Sequence, residues 1–151
     1  MSGYLNNSQA TDEAFAGGWL HTGDLGYVDE DGFYFIVDRK KEMIIRGGYN
    51  VYPREVEDVL YAHPDVDEVA VLGVPDERLG EEVKAFVSLK PGAEVDELEL
   101  VEFAKARVAA YKYPRIIEII QALPKGPTGK ILKKELTGST APPAVQPVVT
   151  A

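Results

Sequence analysis

The sequence predicts an α+β fold in which a small central β-sheet is packed with helices and a short β-hairpin precedes the sheet. From residue 41 onward the predicted elements read strand, helix, strand, strand, helix, strand, helix, an order that suits helices packed on one sheet. Before that point, a strong turn signal lies between two short β-prone runs. With 151 residues and 45% hydrophobic side chains, the chain can bury one modest core.

The predicted hairpin is formed by two β-prone runs, residues 19–22 and 33–37. Asp31 and Gly32, between them, favour a tight turn. Residues 3–18 are small and polar, so we expect a loop there with one short helical turn that ends at a pair of glycines.

The first helix of the sheet region is predicted over residues 53–62. Pro53 suits the first helical turn, and apolar residues then recur three and four positions apart, which places them on one stripe. Two β-rich runs follow, residues 66–74 and 82–89, and Gly or Pro bounds them. Both are predicted to be strands of one sheet.

The second half of the sheet region begins with a helix start signal. Asp96 followed three residues later by Glu99 resembles a capping box, and we expect this helix to continue to Pro114. A strand over residues 116–120, a glycine-punctuated loop and a short helix over residues 131–136 complete the prediction.

The chain changes character near residue 39. Residues 1–38 hold seven Asp and Glu but no Lys or Arg, and the basic residues begin at Arg39. We therefore expect residues 1–38 to form one segment and residues 39–136 to form a domain. Residues 137–151 are rich in Pro, Thr, Val and Ala without periodicity, and are predicted to be a disordered tail.

The composition argues against several classes of function. A net charge of −9 is unfavourable for nucleic-acid binding, whereas two short basic clusters, residues 39–46 and 125–134, suit one small polyphosphate. With no cysteine and two histidines, we expect no structural metal. Without a run of about 20 apolar residues or a secretory leader, we expect a cytoplasmic protein with no membrane span.

Two motifs place charged side chains beside glycines. In HTGDLGYVDEDGF, Asp24 lies in a Thr-Gly-Asp turn, where its carboxylate can accept hydrogen bonds from a vicinal diol such as ribose or from nearby backbone N–H groups. In DRKKEMIIRGGYNVYPREVE, Arg39 and Lys41 precede Gly47 and Gly48, which permit close approach of a ligand. A solvated charged surface is the alternative interpretation of this second cluster.

The third motif is the loop in LPKGPTGKILKKEL, which ends at Lys130. It is not a phosphate-binding P-loop, because only two residues separate Gly126 from the Gly-Lys pair and Ile131 replaces the Ser or Thr. A loop lysine can nevertheless bridge a carboxylate and a phosphate oxygen as they react. An ordinary surface lysine is the alternative.

Taken together and in this order, the three motifs resemble those of the acyl-CoA synthetase, adenylation-domain and luciferase superfamily. The similarity runs from GYLNN at residue 3 to Leu136, and MIIRGGYNVYPREVE is most similar to fatty acyl-CoA ligases. The resemblance implies that residues 1–38 are the end of a large N-terminal domain and that residues 39–136 are a mobile C-terminal lid.

The resemblance also implies residue roles. Lys130 corresponds to the catalytic lysine of adenylation, which contacts the substrate carboxylate and the α-phosphate. Asp24 and Arg39 are expected to hold the ribose hydroxyls of ATP or AMP, and Lys41 occupies the hinge position. The residues expected to line the pantetheine tunnel of coenzyme A are Arg46, Gly47, Gly48 and Tyr49.

The resemblance implies ATP with Mg²⁺ and coenzyme A as cofactors, a fatty acid or other carboxylate as substrate, and an N-terminal adenylation domain as partner. The phosphate loop, adenine pocket and acyl tunnel are expected before residue 3, so the isolated chain is predicted to be inactive. Three alternatives stay open: a free-standing binding or regulatory module, a subunit of a split enzyme, and an adenylation domain that serves a carrier protein.

Overall fold

The computed structural model describes residues 1–137 and divides into two compact units. Met1–Met43 form the first unit, and the chain from Ile44 onward forms the second. This division lies a few residues after the predicted 38/39 boundary, which stays a prediction about functional domains. Apart from Thr137, the predicted tail lies outside the described residues.

The first unit consists of a short helix followed by a β-hairpin. Helix α1 spans Ser8–Ala14, and the side chain of Asn7 caps it by accepting the backbone N–H of Ala10 at 3.0 Å. Strands β1 (Asp24–Val28) and β2 (Tyr34–Arg39) pair antiparallel. The structure therefore confirms a hairpin before the sheet, with a longer helix ahead of it than the sequence predicts.

The predicted strand at residues 19–22 is wrong, because β1 begins only at Asp24. The backbone N–H of His21 donates to the carbonyl of Ala14 at 2.8 Å, and its ring Nε2 lies 2.9 Å from the carbonyl oxygen of Ala16. These contacts hold the segment against the end of α1, where it cannot pair with a strand.

The second unit is built on a five-stranded mixed sheet. Its strands are β3 (Ile44–Arg46), β4 (Tyr49–Val51), β5 (Val66–Asp76), β6 (Gly80–Leu89) and β7 (Ile116–Ile119). The central strand β6 pairs antiparallel with β5 along one edge, and along the other edge it meets β3 at Gly80 and runs parallel to β7. Strand β4 pairs with β3.

Side chains alternate between the two faces of this sheet, and each face has its own apolar cluster. Helices α2 (Pro53–Tyr61) and α3 (Glu97–Lys105) contribute to the first cluster, whose buried members include Val56, Leu60, Val83, Ala85, Val87, Leu100 and Ala104. Helix α4 (Lys133–Leu136) contributes to the second cluster, whose buried members are Ala70, Leu72, Val74, Phe86, Leu123 and Leu136. The predicted sheet packed with helices is confirmed.

Two features of the second unit differ from the sequence prediction. Helix α3 ends at Lys105 rather than at Pro114, because the following residues form tight turns that place Lys112 Nζ 2.7 Å from the carboxylate of Glu55. Strand β4 was not predicted, since a three-residue strand after two glycines shows no periodicity. Among residues 1–137, we find no helix with the length and apolar character needed to span a bilayer.

Candidate functional site

The Thr-Gly-Asp turn lies at one end of the β1–β2 hairpin. Gly23 adopts φ +80°, and its carbonyl accepts the backbone N–H of Lys40 at 2.8 Å, while the hydroxyl of Thr22 accepts the N–H of Asp24 at 3.2 Å. Asp24 is in register with Arg39 across the hairpin. The turn therefore brings the two predicted ribose-binding residues together.

The side chains of Asp24 and Arg39 form an exposed ion pair. Arg39 Nε lies 3.4 Å from Asp24 Oδ1, and the two side chains are 61% and 33% exposed for Arg39 and Asp24 respectively. An exposed pair at this distance contributes little to stability. Both groups are therefore accessible to a ligand: the carboxylate can accept hydrogen bonds from hydroxyl groups and the guanidinium can donate them.

Lys41 lies in the turn that connects β2 to β3. The backbone N–H of Glu42 donates to the carbonyl of Arg39 at 2.9 Å, which closes this turn, and the side chain of Lys41 is exposed. The predicted hinge residue thus stands in the short connection just before Ile44, where the second compact unit begins.

The predicted pantetheine segment forms the tight turn between β3 and β4. Gly47 and Gly48 have φ angles of +55° and +84°, and Arg46 is paired with Tyr49. Positive φ at both central residues is the conformation of a two-residue type I′ hairpin turn, which favours glycine at both positions. The backbone of the glycine pair is exposed, so a thin ligand can approach it.

The flanking side chains of this turn point to different partners. Tyr49 stacks on Tyr111 with ring centroids 4.7 Å apart. Arg46 instead forms a two-contact ion pair with Glu82, in which Nη2 donates to Oε2 at 2.8 Å. The hydrogen bonds with Glu82 hold the pKa of the Arg46 guanidinium above its ordinary value. The Arg46 side chain is thus held by Glu82, and 12% of it stays exposed.

Lys130 ends a compact loop between the last strand and α4. The backbone N–H of Gly126 donates to the carbonyl of Lys130 at 2.8 Å, and the N–H of Leu132 donates to the carbonyl of Pro124 at the same distance. Gly129, with φ +78°, allows the sharp reversal. The Lys130 side chain is exposed, and within residues 1–137 no hydrogen bond or ion pair neutralises its ammonium.

Two ion pairs fasten the ends of this loop. Lys125 Nζ lies 2.8 Å from Glu68 Oε1, and this hydrogen bond holds the pKa of Lys125 above its ordinary value. On the other side, Lys133 Nζ lies 2.8 Å from Glu57 Oε1, an atom that also accepts the backbone N–H of Val71. The loop that presents Lys130 is therefore attached to β5 and α2.

Sequence reasoning missed the glutamates that support these loops. Glu82 is buried near the start of β6, but in the sequence it directly follows another glutamate, which gives no sign of that burial. Glu57 and Glu68 likewise show no signal, since each stands among other acidic residues. Within residues 1–137, no group of three or more metal-ligating side chains is assembled.

The Lys130 loop, the glycine turn and the Asp24–Arg39 pair carry the three motifs that resemble those of adenylate-forming enzymes, and a small mixed sheet packed with helices accompanies them. The chain belongs to the family described as the AMP-binding enzyme C-terminal domain, whose model matches residues 55–130.

Known proteins similar to this chain support the same class. The chain is 54% identical to the long-chain-fatty-acid–CoA ligase of Bacillus subtilis over 136 residues, which cover 90% of the chain and 24% of that protein. It spans about a quarter of the length of this curated relative.

Two solved structures extend the similarity to the fold. A fatty acyl CoA synthetase of Mycobacterium tuberculosis is 46% identical, with a TM-score of 0.69 over 91% of this chain and 27% of that chain. An o-succinylbenzoate CoA synthetase of Bacillus subtilis, in complex with its acyl-adenylate intermediate, is 40% identical, with a TM-score of 0.82 over 90% of this chain and 28% of that chain.

Proposed function

We propose that this chain is the C-terminal part of an ATP-dependent fatty acyl-CoA ligase, which joins a fatty acid to ATP as an acyl-adenylate and then transfers the acyl group to coenzyme A. The observation that carries this proposal is the Lys130 loop, which presents an ammonium without a protein counter-ion within the described chain. The family match and the similarity to a long-chain-fatty-acid–CoA ligase, of which the chain covers 24%, support the ligase activity.

Lys130 is proposed to act in the first half-reaction. Attack of the substrate carboxylate on the α-phosphate of ATP shifts negative charge onto oxygens of both reactants and releases pyrophosphate. An ammonium held near these oxygens stabilises that charge in the transition state without a proton transfer. The fastened ends of the loop favour this role, because a positioned charge needs little reorganisation when the reaction occurs.

Asp24 and Arg39 are proposed to hold the nucleotide through its ribose. Their adjacent positions in the hairpin register allow the carboxylate to accept from the ribose hydroxyls while the guanidinium donates to them. Mg²⁺ is proposed to accompany the ATP phosphates, and its ligands are not expected among these residues. Lys41 is proposed as the hinge between the two half-reactions.

The glycine turn is proposed to serve the second half-reaction. In that step the thiol of coenzyme A attacks the acyl carbonyl, the acyl–phosphate bond breaks and AMP leaves. The exposed backbone of Gly47 and Gly48 suits the narrow pantetheine arm, because glycine places no side chain in its path. Tyr49 and Arg46 are proposed to border this path.

The names of the relatives support a fatty acid as the proposed substrate. The Bacillus subtilis ligase and the Mycobacterium tuberculosis synthetase are named for fatty acids, whereas the other Bacillus subtilis synthetase is named for o-succinylbenzoate. The acyl pocket is expected in the large domain, so the described residues of this chain support the reaction more directly than the identity of the acid.

The test uses the complete protein of which this chain is proposed to be a part. With palmitate, ATP and Mg²⁺, we expect palmitate-dependent pyrophosphate release, and with coenzyme A we expect palmitoyl-CoA. Lys130→Ala is expected to slow pyrophosphate release on the order of 100- to 1,000-fold, as loss of a preorganised charge does. Thioester formation from preformed palmitoyl-adenylate should change little.

The matched control is Lys134→Ala, which removes the same charge from an exposed position four residues along the chain. We expect it to leave both half-reactions unchanged. An unchanged rate of pyrophosphate release in Lys130→Ala would contradict the role of Lys130. Activity with o-succinylbenzoate but not with palmitate would contradict the fatty-acid assignment while leaving the ligase assignment intact.

A further inference from the structure

The glycine turn between β3 and β4 is fastened to the beginning of β6. The backbone N–H of Gly47 donates to the carbonyl of Leu79 at 2.8 Å, and Arg46 pairs with Gly80 in the sheet. Two consecutive glutamates of β6, Glu81 and Glu82, add side-chain contacts to this attachment. Sequence reasoning assigned no role to either glutamate.

Glu82 is bonded on both of its carboxylate oxygens. Oε1 accepts the backbone N–H of Val83 at 2.8 Å and a bond from Arg46 Nε, while Oε2 accepts from Arg46 Nη2 at 2.8 Å. The side chains of Arg46 and Glu82 are only 12% and 11% exposed. A guanidinium that makes two parallel bonds to a fixed carboxylate has a fixed orientation, and its own backbone begins the glycine turn.

Glu81 fastens the residue before Arg46. Its Oε2 accepts the backbone N–H of Ile45 at 2.6 Å. Its Oε1 occupies the space beside Gly73, where an added Cβ would approach it to 2.7 Å. The two carboxylates therefore hold consecutive residues of β3, one through the backbone and one through the side chain.

The Lys130 loop has different supports. Its ends are held by the backbone hydrogen bonds that Gly126 and Leu132 donate. Two ion pairs add to them, Lys125 with Glu68 and Lys133 with Glu57. Neither of these carboxylates contacts the glycine turn. Because the two loops share no supporting carboxylate, a change at Glu82 should reach the turn without reaching Lys130.

We propose that Glu82 is a positioning residue for thioester formation alone: it fixes Arg46, and through Arg46 the backbone of the glycine turn along which the pantetheine arm must lie. This inference rests on the proposed function of the turn. Arg46 is accordingly a second positioning residue rather than a direct ligand of coenzyme A.

The experiment compares the two half-reactions in the complete enzyme carrying Glu82→Gln. We expect the rate of palmitoyl-CoA formation from preformed palmitoyl-adenylate to fall about tenfold or more, with part of the loss as a raised KM for coenzyme A. Pyrophosphate release should stay within about twofold of the wild-type rate. A general loss of stability would lower both.

The matched control is the ion pair between Lys84, two residues after Glu82 in β6, and Glu118 in β7. Lys84 is a buried lysine whose Nζ lies 2.7 Å from the carboxylate of Glu118, away from the glycine turn. Glu118→Gln also removes the carboxylate partner of a buried cation, although the Glu118 side chain itself is 39% exposed, and it should not slow thioester formation selectively. The same selective loss in this control would overturn the inference.

A double-mutant cycle tests whether Glu82 acts through Arg46. If it does, Glu82→Gln combined with Arg46→Met should be no slower in thioester formation than Arg46→Met alone. In the 151-residue chain, the amide of Gly47, which donates to the carbonyl of Leu79, should exchange about tenfold faster in Glu82→Gln. Multiplicative losses in the cycle, or unchanged amide exchange, would overturn the inference.

The outcomes separate this inference from the proposed function. Equal slowing of both half-reactions in Glu82→Gln, or no slowing of either, overturns the positioning role and leaves the ligase assignment standing. A wild-type enzyme that releases pyrophosphate but forms no thioester overturns both.

Discussion

The two compact units differ in where their apolar side chains lie. None of residues 1–43, all of which the structure describes, is buried, although the hairpin carries several aromatic rings. Tyr27 and Phe35 stack on each other with centroids 5.0 Å apart and are still 55% and 44% exposed. In the second unit, by contrast, Phe86 and Leu60 are almost wholly buried within two clusters. The second unit therefore has a core of its own, and the first does not.

This difference bears on how each functional group is held. Asp24 and Arg39 are positioned by the register and turn bonds of a hairpin without a core, and such segments open locally at low cost. Lys130 and the glycine turn are attached to a packed sheet through ion pairs and backbone bonds. We expect the pair proposed to bind ribose to be the more easily displaced.

The largest expected effect comes from the same substitution made once in each unit. Phe86→Ala removes a buried ring and should lower the free energy of unfolding of the 151-residue chain by about 3–5 kcal/mol. Phe35→Ala removes a ring that is 44% exposed and should leave the main unfolding transition nearly unchanged. Urea unfolding followed by far-UV circular dichroism measures both. Equal losses of unfolding free energy would contradict the conclusion that only the second unit has a core of its own.

A smaller and local effect is expected at Gly26 in β1. A Cβ added there would lie 2.6 Å from the carbonyl oxygen of Phe35, so the paired strands would have to separate. We expect Gly26→Ala to destabilise the hairpin by about 1–3 kcal/mol.

Hydrogen exchange measures this local change. In Gly26→Ala, amides of β1 and β2 should lose protection while those of β6 keep theirs. Gly32→Asn is the matched control, because nothing lies near an added Cβ and asparagine tolerates the positive φ of +87°. Loss of protection in β6 would show that the two units unfold together.

The smallest effect concerns the turn between β5 and β6. Asp76 accepts the backbone N–H groups of Leu79 at 2.8 Å and Arg78 at 3.0 Å, and these bonds hold the pKa of its carboxyl below the ordinary value. Because the folded pKa is depressed, this contribution is present above the unfolded pKa of about 3.9 and is lost as the pH falls through the folded value. Asp76→Asn should therefore reduce stability slightly at pH 7.

The pH dependence of unfolding checks this prediction. The urea midpoints of the wild-type chain and Asp76→Asn should differ at pH 7. They should converge as the pH falls below the unfolded pKa and through the folded pKa of the Asp76 carboxyl. Glu77→Gln, a neighbouring exposed acid, should show no such convergence. A difference that grows toward low pH would contradict the assigned cause.

Local patterns predicted those elements whose apolar residues follow a clear period. Helix α2 begins at Pro53 as predicted, and strands β5 and β6 cover the two predicted runs. The early end of α3 was not predictable, because Tyr111 keeps the helical spacing and yet lies in turns that let it stack on Tyr49. That stacking depends on a residue far away in the sequence, which no local window contains.

The candidate site shows the same limit. The glycines and charged residues of three ordered motifs indicated Asp24, Arg39, the glycine turn and Lys130, and their functional roles stay predictions. The carboxylates that orient these groups could not be found in this way. The bond from Arg46 to Glu82 joins residues 36 positions apart, and that from Lys125 to Glu68 joins two separate elements.

The hydrogen bond from Val71 to Glu57 has a consequence for association between chains. Strand β5 forms one edge of the sheet and is eleven residues long, a length at which an open edge invites pairing with a strand of another molecule. At Val71 the outward N–H is already occupied by the Glu57 carboxylate, which also holds Lys133 beside it. A carboxylate and an ammonium thus stand at a position where an added strand would have to hydrogen-bond, and we expect them to disfavour pairing there.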